Sequence, residues 1–590
     1  MALRTSLARL AAVALAGCVP ADDDTSGAAS ATSGATSDAD STTDASTTAT
    51  SDTTSASTSS TSAGESEGTT GEPPPIVCPE AVAAPALVVD LEPVGGANPQ
   101  RLFAAGADGC ALYFNALIAG EITLWRTDAS ELGTHQVTPE PRYFGQPIAL
   151  GEQVIFFSDD RPWRTDGSAA GTYALMEGWA LPGFLSEAAV FAGELYFAAR
   201  DVVSRGVFVE SEHGVEPWRT DGTIAGTALL VDTAPGPEPE VGGPFGFTPR
   251  GDQLHFWAGP WPGTLWRTDG TTEGTAPVID VGLTRAPIDG APPRHGAAAL
   301  GERLVFLGSA AGEFGIWASD GTTPGTELLA RLDQPSAGGT SMFHEGDRFR
   351  WAALGERLYL FASPAGIPLP AKSPDARALG EGIAYYGPPV DALWATDGTI
   401  AGTERLVELA TETYSDDWGV PADLVEAGGR LYFYALDESG MTPLPALHTS
   451  DGTAGGTAKI AAYDSVGALV PAPVADAVVF AAATDATGFE LQISRGAPAT
   501  TELLKDINPG PASASPDTPR VVGGRLVFVA DDGAHGREPW TSDGTVEGTT
   551  LVADINPGAA SSDPAEYTAL GDVIVFVADD GAHGRELWKM

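Results

Sequence analysis

Two kinds of acidic turn recur along this chain, and both are candidates for chemistry. The first reads Asp-Gly-Thr and places carboxylates at Asp221, Asp269, Asp320, Asp397, Asp451 and Asp543. The second reads Asp-Asp-Gly-Ala-His-Gly and occurs twice, ending at Gly536 and at Gly584. Carboxylate and backbone oxygens are the ligands that Ca²⁺ prefers. The candidate calcium ligands of the second turn are therefore Asp531, Asp532, Asp579 and Asp580.

A structural role explains the Asp-Gly-Thr turns without any ligand. An Asp side chain in a turn accepts backbone N–H bonds, Gly supplies positive φ, and Thr suits the strand that follows. Catalysis needs one special copy, whereas this turn recurs along most of the chain. For the second turn, a His-Gly pair bonded to a neighbouring strand is the competing interpretation.

Motifs that identify an enzyme are missing from residues 76–590. The repeat region has no Gly-x-Ser-x-Gly elbow, no His-Glu-x-x-His, no phosphate loop and no dinucleotide fingerprint. Two irregular regions are candidates for recognition. Trp257 and Trp261 form either a sugar-stacking surface or ordinary packing, and the insertion 364–390, with Tyr385 and Tyr386, is either a recognition loop or a neutral insertion.

The acidic turns belong to a repeat of roughly 50 residues, a period typical of stacked supersecondary units. A Trp precedes the turn in eight of ten copies, and His448 and Gln492 replace it in the other two. The tryptophans are Trp125, Trp163, Trp218, Trp266, Trp317, Trp394, Trp540 and Trp588.

One repeat, from Trp540 to Trp588, contains four short strands separated by turns, and this is the pattern of a β-propeller blade. The sequence predicts an all-β propeller of about ten four-stranded blades, with Trp on the third strand as a filler between blades. Ten blades exceed the usual four to eight. One ring and two rings of about five, divided near residues 330–350, are both compatible with the repeats.

The two ends of the chain complement each other. The last repeat stops at Met590 without a fourth strand, and residues 86–93 match residues 551–557. We predict that the N-terminal strand completes the last blade, which would remove an exposed sheet edge.

The string Asp-Asp-Gly-Ala-His-Gly-Arg-Glu-(Leu/Pro)-Trp, at 531–540 and 579–588, resembles the ELWxxDGT repeat family of exported bacterial proteins. The resemblance covers residues from about 86 to 590 and implies an exported, repetitive β protein without implying a reaction. The copies after Trp125 and Trp163 depart from it, with Ser130 and Ser168 in place of the Thr.

Residues 1–18 have the pattern of a lipoprotein signal peptide, in which Leu15-Ala16-Gly17-Cys18 is the lipobox and Cys18 is lipidated. An ordinary signal peptide with an incidental Cys is the alternative. Val19, by resemblance to lipoprotein sorting in enteric bacteria, favours the outer membrane. Residues 19–75 are rich in Ser, Thr and Asp and predict a disordered tether, followed by the repeat region 76–590.

The formal charge of −48 speaks against nucleic acid and against an anionic membrane surface as partners. It fits solubility after export, or binding of cations or a basic partner. Cys78 and Cys110 are a candidate disulfide in an oxidising compartment. No residues have zinc-ligand spacing, so calcium is the one cofactor that the sequence suggests.

Together these features predict a cell-surface lipoprotein whose propeller binds an extracellular protein or carbohydrate without catalysis. Membrane contact would be through the lipid anchor only. The alternatives are a propeller hydrolase or lyase acting on extracellular glycans, and a calcium-stabilised structural module.

Overall fold

A computed structural model describes residues 78–590 with gaps, the longest of which are 181–187, 236–242, 284–296, 333–350, 363–389 and 411–423. The predicted signal peptide and tether, and almost all of the insertion 364–390 and of the range 330–350, lie outside the described residues. The described residues form an all-β propeller of ten antiparallel blades, as predicted. The one helical segment among them is a single 3-10 turn, Pro498–Thr500. None of their helices is long and apolar enough to cross a membrane.

Each blade has four strands, here called A to D in their order across the sheet. In blade 1 they are Gln100–Ala105, Ala111–Ile118, Glu121–Thr127 and His135–Thr138. In blade 2 they are Gly145–Leu150, Gln153–Ser158, Arg161–Thr165 and Tyr173–Ala174. In blade 3 they are Ala189–Phe191, Glu194–Arg200, Val215–Thr220 and Ala228–Leu229, with Trp179–Ala180 also pairing with strand B. In blade 4 they are Phe245–Arg250, Gln253–Ala258, Thr264–Thr268 and Ala276–Ile279.

Blade 5 has Ala297–Leu300, Arg303–Ala310, Glu313–Ser319 and Glu327–Arg331, with Gly282–Leu283 added to strand B. Blade 6 has Ala352–Leu354, Arg357–Ala362, Val390–Thr396 and Glu404–Ala410. Blade 7 has Val425–Ala427, Arg430–Asp437, Leu444–Ser450 and Ala458–Ala462. One residue pair, Ala410 with Leu436, joins blades 6 and 7 into a single sheet.

Blade 8 has Ala472–Val474, Ala477–Thr484, Gly488–Ser494 and Thr501–Lys505, with Ser465–Val466 added to strand B. Blade 9 has Asp517–Val522, Arg525–Asp531, Arg537–Ser542 and Thr550–Leu551. Blade 10 has Ala565–Leu570, Val573–Asp579 and Arg585–Lys589 as strands A to C. Its fourth strand is Ala86–Val89, which pairs antiparallel with strand C and places Leu87 opposite Trp588. This is the pairing that the match between the two chain ends predicts.

The repeated aromatic residues hold the blades together. Strand B carries a Phe that lies directly opposite the Trp of strand C, as in the pairs Phe528–Trp540 and Phe576–Trp588, except in blade 6, where Leu360 lies opposite Trp394. In blade 7 His448 takes the Trp position and stacks on Phe433 with ring centroids 5.5 Å apart. The replacement of Trp in the degenerate copies therefore leaves the blade intact.

Each Trp also packs against the preceding blade, which confirms the predicted role as filler. Trp540 lies in a cluster with Phe480 of blade 8, and Trp588 packs with Val527 and Val529 of blade 9. Burying such an aromatic removes roughly 150–250 Å² from water. Because a four-stranded sheet has two apolar faces, each blade is stable only when one neighbouring blade covers each face.

Hydrophobic clusters join the blades in one cyclic series. Leu329 and Leu332 of blade 5 pack with Leu358 and Leu360 of blade 6. In the same way, Leu112 and Phe114 of blade 1 share a cluster with residues of blade 10, including Leu570 and Val575.

Candidate functional site

Antiparallel order divides the connections between two faces of the propeller. The A–B and C–D connections lie on one, which we call the uniform face, and the B–C and D–A connections lie on the other, the variable face. On the uniform face, nine A–B turns are two residues long, and the C–D turn that spans 221–227 in blade 3 has the same length in seven other blades. On the variable face, B–C connections range from Ala119-Gly120 in blade 1 to the stretch between Ala362 and Val390 in blade 6.

The Asp-Gly-Thr turns on the uniform face are held by their own hydrogen bonds. Asp221 Oδ1 accepts bonds from the backbone N–H and the hydroxyl of Thr223, at 2.8 and 2.7 Å. The same hydroxyl accepts the N–H of Gly226, and Thr227 donates to the carbonyl of Thr223. These bonds, first of all that from the Thr223 side chain, lower the pKa of Asp221. The carboxylate is therefore a structural acceptor, as the structural interpretation predicts.

The same bonding recurs in the copies whose sequence departs from the repeat. Ser130 and Ser168 donate their hydroxyls to Asp128 and Asp166, as Thr does elsewhere. Ala129 takes the position of the turn Gly with φ of 63°, a left-handed conformation that costs a non-Gly residue energy. The other members of the set have the Thr-to-Asp bond at Asp269, Asp320, Asp397, Asp451 and Asp543.

The central Gly of each turn lies against the blade before it. A Cβ at Gly270 would come within 2.8 Å of the Tyr196 hydroxyl, and one at Gly321 within 3.0 Å of His255 Nε2. His255 thus takes the place that a Tyr occupies in blades 1, 3, 6 and 7. Among the described atoms, neither ring nitrogen of this buried His has a hydrogen-bond partner. Burial, reinforced by Arg250 and Arg267, lowers the pKa of His255 to about 4.

On the variable face, the Asp-Asp-Gly-Ala-His-Gly turns are closed by a carboxylate–imidazole bond. Asp532 Oδ2 lies 2.7 Å from His535 Nδ1, while Oδ1 accepts the N–H groups of Ala534 and His535. Asp580 and His583 repeat this arrangement at 2.7 Å. The bond to the carboxylate raises the pKa of each His.

These contacts give the candidate calcium ligands a local role. Asp531 and Asp579 accept the N–H groups of Gly533 and Gly581, so all four carboxylates are bonded within their own turns. Across the described part of the chain, no cluster of three or more His, Cys, Asp or Glu side chains has a metal-binding arrangement.

Blade 3 has a similar Asp–His bond, but an insertion lies between the two residues. Asp201 bonds both the N–H and Nδ1 of His213, at 3.2 and 3.1 Å. Between them lies a two-stranded ribbon, Val203–Arg205 paired with Val209 and its neighbours in Phe208–Glu210. The Asp–His bond therefore closes the base of an insertion on the variable face.

Four buried glutamates, which the motif search missed, anchor loops to the variable face. They lie two residues before the Trp position: Glu216, Glu490, Glu538 and Glu586. Each accepts main-chain N–H groups from the loop that follows its blade. The signal in the sequence was the Glu of the repeated Glu-(Leu/Pro)-Trp string.

In blade 9 the Glu538 carboxylate accepts the N–H groups of Ile555 and Ser562 at 3.0 and 2.9 Å, and the Ser562 hydroxyl at 2.6 Å. In blade 10 the loop comes from the N-terminal segment, where Ala97 donates its N–H to Glu586 at 2.7 Å. Burial raises the pKa of Glu490 and of Glu586 to about 7.

Outside these four blades the equivalent position holds another residue type: Thr123, Arg161, Thr264, Gly315, Ala392 and Ala446. The loops that follow those six blades lack a carboxylate anchor at this position. The variable face thus combines loops of two classes on one ring.

Of the aromatic residues that were candidates for recognition, the structure describes Trp257 alone. Trp257 is fully buried between Phe245 and Phe306, so its predicted sugar-stacking role is wrong and the packing interpretation holds. Trp261, Tyr385 and Tyr386 lie outside the described residues. On the variable face, Leu117 and Ile122 form an exposed cross-strand pair at the B–C turn of blade 1.

The predicted disulfide lies on the opposite face. Cys78 and Cys110 are bonded, with Cα atoms 4.9 Å apart, and Cys110 belongs to the A–B connection of blade 1. A Cβ at Gly571, in the A–B turn of blade 10, would come within 3.7 Å of Cys78 Cβ. The chain therefore enters the described fold at the uniform face.

No known family and no curated protein matches this chain. Among solved structures it is similar to puromycin hydrolase, with 14% identity, a TM-score of 0.29, and coverage of 77% of this chain and 61% of that one. The β-propeller domain of the Trilobed protease from Pyrococcus furiosus has 10% identity and a TM-score of 0.24, covering 58% and 93%. An oligogalacturonate lyase in complex with manganese has 13% identity and a TM-score of 0.26, covering 58% and 86%. The chain spans less than two thirds of the puromycin hydrolase.

Proposed function

We propose that this chain is an exported, lipid-anchored member of the ELWxxDGT repeat proteins whose propeller binds an extracellular protein or carbohydrate through its variable face. The observation that carries this proposal is the segregation of connections. Turns of fixed length and bonding occupy one face, whereas connections of variable length and sequence occupy the other. Loops on a rigid scaffold are the usual carriers of recognition.

The position of the disulfide supports a direction for this binding. Cys78 is fixed at the uniform face, so a tether attached there leaves the variable face on the far side of the ring. An anchor at Cys18 would then present the variable loops away from the lipid. Outer-membrane anchoring through this lipid alone is part of the proposal.

The chemistry of the repeated turns favours binding over catalysis. The carboxylates and imidazoles of the repeated turns are bonded to one another or to main-chain groups, as in the Asp532–His535 pair. The exposed apolar pair Leu117 and Ile122 is a contact suited to a protein or to the apolar face of a sugar. The high negative charge agrees with a neutral or basic ligand.

Binding of the detergent-solubilised full chain to an array of glycans and to immobilised extracellular proteins tests the function. We expect retention of unmodified ligands. Release of shortened glycan products by the chain would contradict the proposal and establish the hydrolase or lyase alternative.

Metabolic labelling with radioactive palmitate tests the anchor separately. We expect label in the full chain and none in the Cys18→Ser variant, with the wild type recovered in the outer-membrane fraction. Equal release of both variants into the medium would contradict lipid anchoring without affecting the binding test.

A further inference from the structure

Each of the four anchoring glutamates accepts the N–H of the residue that directly follows an aspartate, and that aspartate has one unpaired, buried oxygen. The partners are Asp232 for Glu216, Asp506 for Glu490, Asp554 for Glu538 and Asp90 for Glu586. In every pair the Oδ1 atom of the Asp is buried and has no hydrogen-bond partner within the described residues. An unpaired carboxylate oxygen buried beside a second carboxylate is unfavourable, because like charges repel in a low dielectric.

One proton shared by the two carboxyl groups removes this repulsion. In blade 8, Glu490 Oε1 accepts the N–H groups of Asn508 and Ala514, and Oε2 accepts that of Ile507. A proton on Oε2 can be donated to Asp506 Oδ1 while Oε1 keeps both of its bonds to the loop. When both groups are ionised, the pair carries two charges with no shared hydrogen. In the part of the chain that the structure describes, an Asp Oδ1 atom without a hydrogen-bond partner occurs at the same position in four blades, so it is a property of the repeat and not of one blade.

We propose that the Glu490–Asp506 and Glu586–Asp90 pairs each hold one proton between their two carboxyl groups, and that this shared proton clamps the following loop to the variable face below neutral pH. The inference concerns the anchored loops and does not depend on the ligand of the proposed function. Above neutral pH the proton is lost, the two carboxylates repel each other, and the anchored loops open more readily.

Other charged groups around the pairs are engaged elsewhere. His583, close to Glu586 and Asp90, is bonded to Asp580, and Glu92 accepts the N–H of Ala119. Beside Glu538 and Asp554, His535 is bonded to Asp532.

In the same blade Arg537 donates to Asp563, and the Tyr567 hydroxyl lies 3.5 Å from the carbonyl of Phe528. In blades 8 and 3 the charged neighbours that raise the pKa of Glu490 and Glu216 are Asp506 and Asp232 themselves.

The sign of the pH effect follows from the direction of the shift. Burial raises the pKa of Glu490 to about 7 from its ordinary value of 4.5, so the closed loop binds a proton that the open loop releases. The clamp is therefore complete at pH below 4.5 and is lost as pH rises through about 7. Between pH 6 and pH 8 the protection of the loop amides should fall about tenfold.

Hydrogen exchange of the full chain, normalised to intrinsic rates, measures this clamp at the amides of Ile507, Asn508 and Ala514, which donate to Glu490. We expect the tenfold fall in the wild type. In Glu490→Gln the side-chain NH2 can donate to Asp506 while Oε1 still accepts from Asn508 and Ala514, so the protection of these two amides should stay high at both pH values. Asp506→Asn should also remove the pH dependence, and Glu502→Gln, an exposed charge change in the same blade, should keep it.

Two results would overturn the proposal. Loss of protection in Glu490→Gln at both pH values would show that the native loop is held by an ionised Glu. Protection in the wild type that depends on added calcium, and not on pH, would show that the pair holds a cation in place of the proton.

Discussion

The two faces of this propeller are built from the same forty strands, yet their connections differ in how they are held and in how much their lengths vary. On the uniform face, the central Gly of the C–D turn packs against the preceding blade, as Gly270 does against Tyr196. On the variable face, a buried Glu fixes the loop that follows four of the blades, as Glu538 does at Ile555, and Asp–His bonds close three of the B–C connections. Turns that pack against the preceding blade are constrained in length and residue type. The B–C and D–A connections do not have this constraint and vary in both. The uniform face therefore carries contacts between blades, and the variable face is where we propose recognition.

The largest effect should come from the disulfide at the uniform face. The bond between Cys78 and Cys110 has a sequence separation of 32 residues. A loop of this size is worth about 3.5 kcal/mol of unfolding free energy in the chain-entropy view. Cys78→Ser with Cys110→Ser should lower the midpoint of urea unfolding accordingly. If reduction of the wild type and the double substitution leave the midpoint unchanged, the seam at blades 10 and 1 does not need this bond.

A matched pair of glycines tests the turn itself. A Cβ at Gly456 would overlap the Asp451 carboxylate, whereas one at Gly455 meets nothing within 4 Å. Gly456→Ala should lower the unfolding free energy by about 3 kcal/mol, because the turn must shift and lose its hydrogen bonds. Gly455→Ala serves as the control and should change it by under about 0.5 kcal/mol. Equal effects in urea unfolding would show that the Asp–Gly contact does not define the turn.

The contact between the buried His255 of blade 4 and the turn at Gly321 of blade 5 should make the uniform face sensitive to acid. The pKa of His255 is lowered to about 4 in the fold, against 6.5 for a free His, so the unfolded chain binds more protons between these values. Stability is present above pH 6.5 and is lost as pH falls toward 4, by about 2 kcal/mol from pH 7 to pH 5. Urea unfolding at the two pH values measures this loss.

His255→Tyr, which restores the residue of blades 1, 3, 6 and 7, should remove that contribution. His583→Gln, on the exposed side of the ring, serves as a control for titration away from the contact between His255 and Gly321. An unchanged acid response in His255→Tyr would place the sensitivity in another group.

The smallest effect should appear in ligand binding. Leu117→Asp with Ile122→Asp changes two exposed apolar residues on the variable face, and Ile224→Asp with Ile400→Asp changes two on the uniform face. We expect the first variant to lose about tenfold or more in affinity for a ligand identified on the array, and the second to lose less than about twofold. The reverse order, measured by surface plasmon resonance, would move the recognition site to the uniform face.

Much of the fold was readable from the repeats. The spacing of Trp540 and Trp588 predicted four strands per blade and Trp on the third strand, and the structure confirms both. The turn role of Asp221 was predicted because Asp, Gly and Thr each have a local conformational preference. The isolated residues were harder to assign. Trp257 looked like a surface aromatic beside two prolines, yet it is buried, because burial depends on neighbouring strands that are far away in sequence.

The amino-acid sequence by itself determined the blades, their turns and the order in which they follow, because strands and turns depend on alternation and on residues a few positions apart. Only the tertiary structure decided which connections share a face and which carboxylates meet. Glu586 and Ala97 are separated by nearly the whole chain but are joined by one hydrogen bond, since closing the series brings the first loop onto the last blade. Such long-range pairs depend on packing in three dimensions, and no local pattern records them.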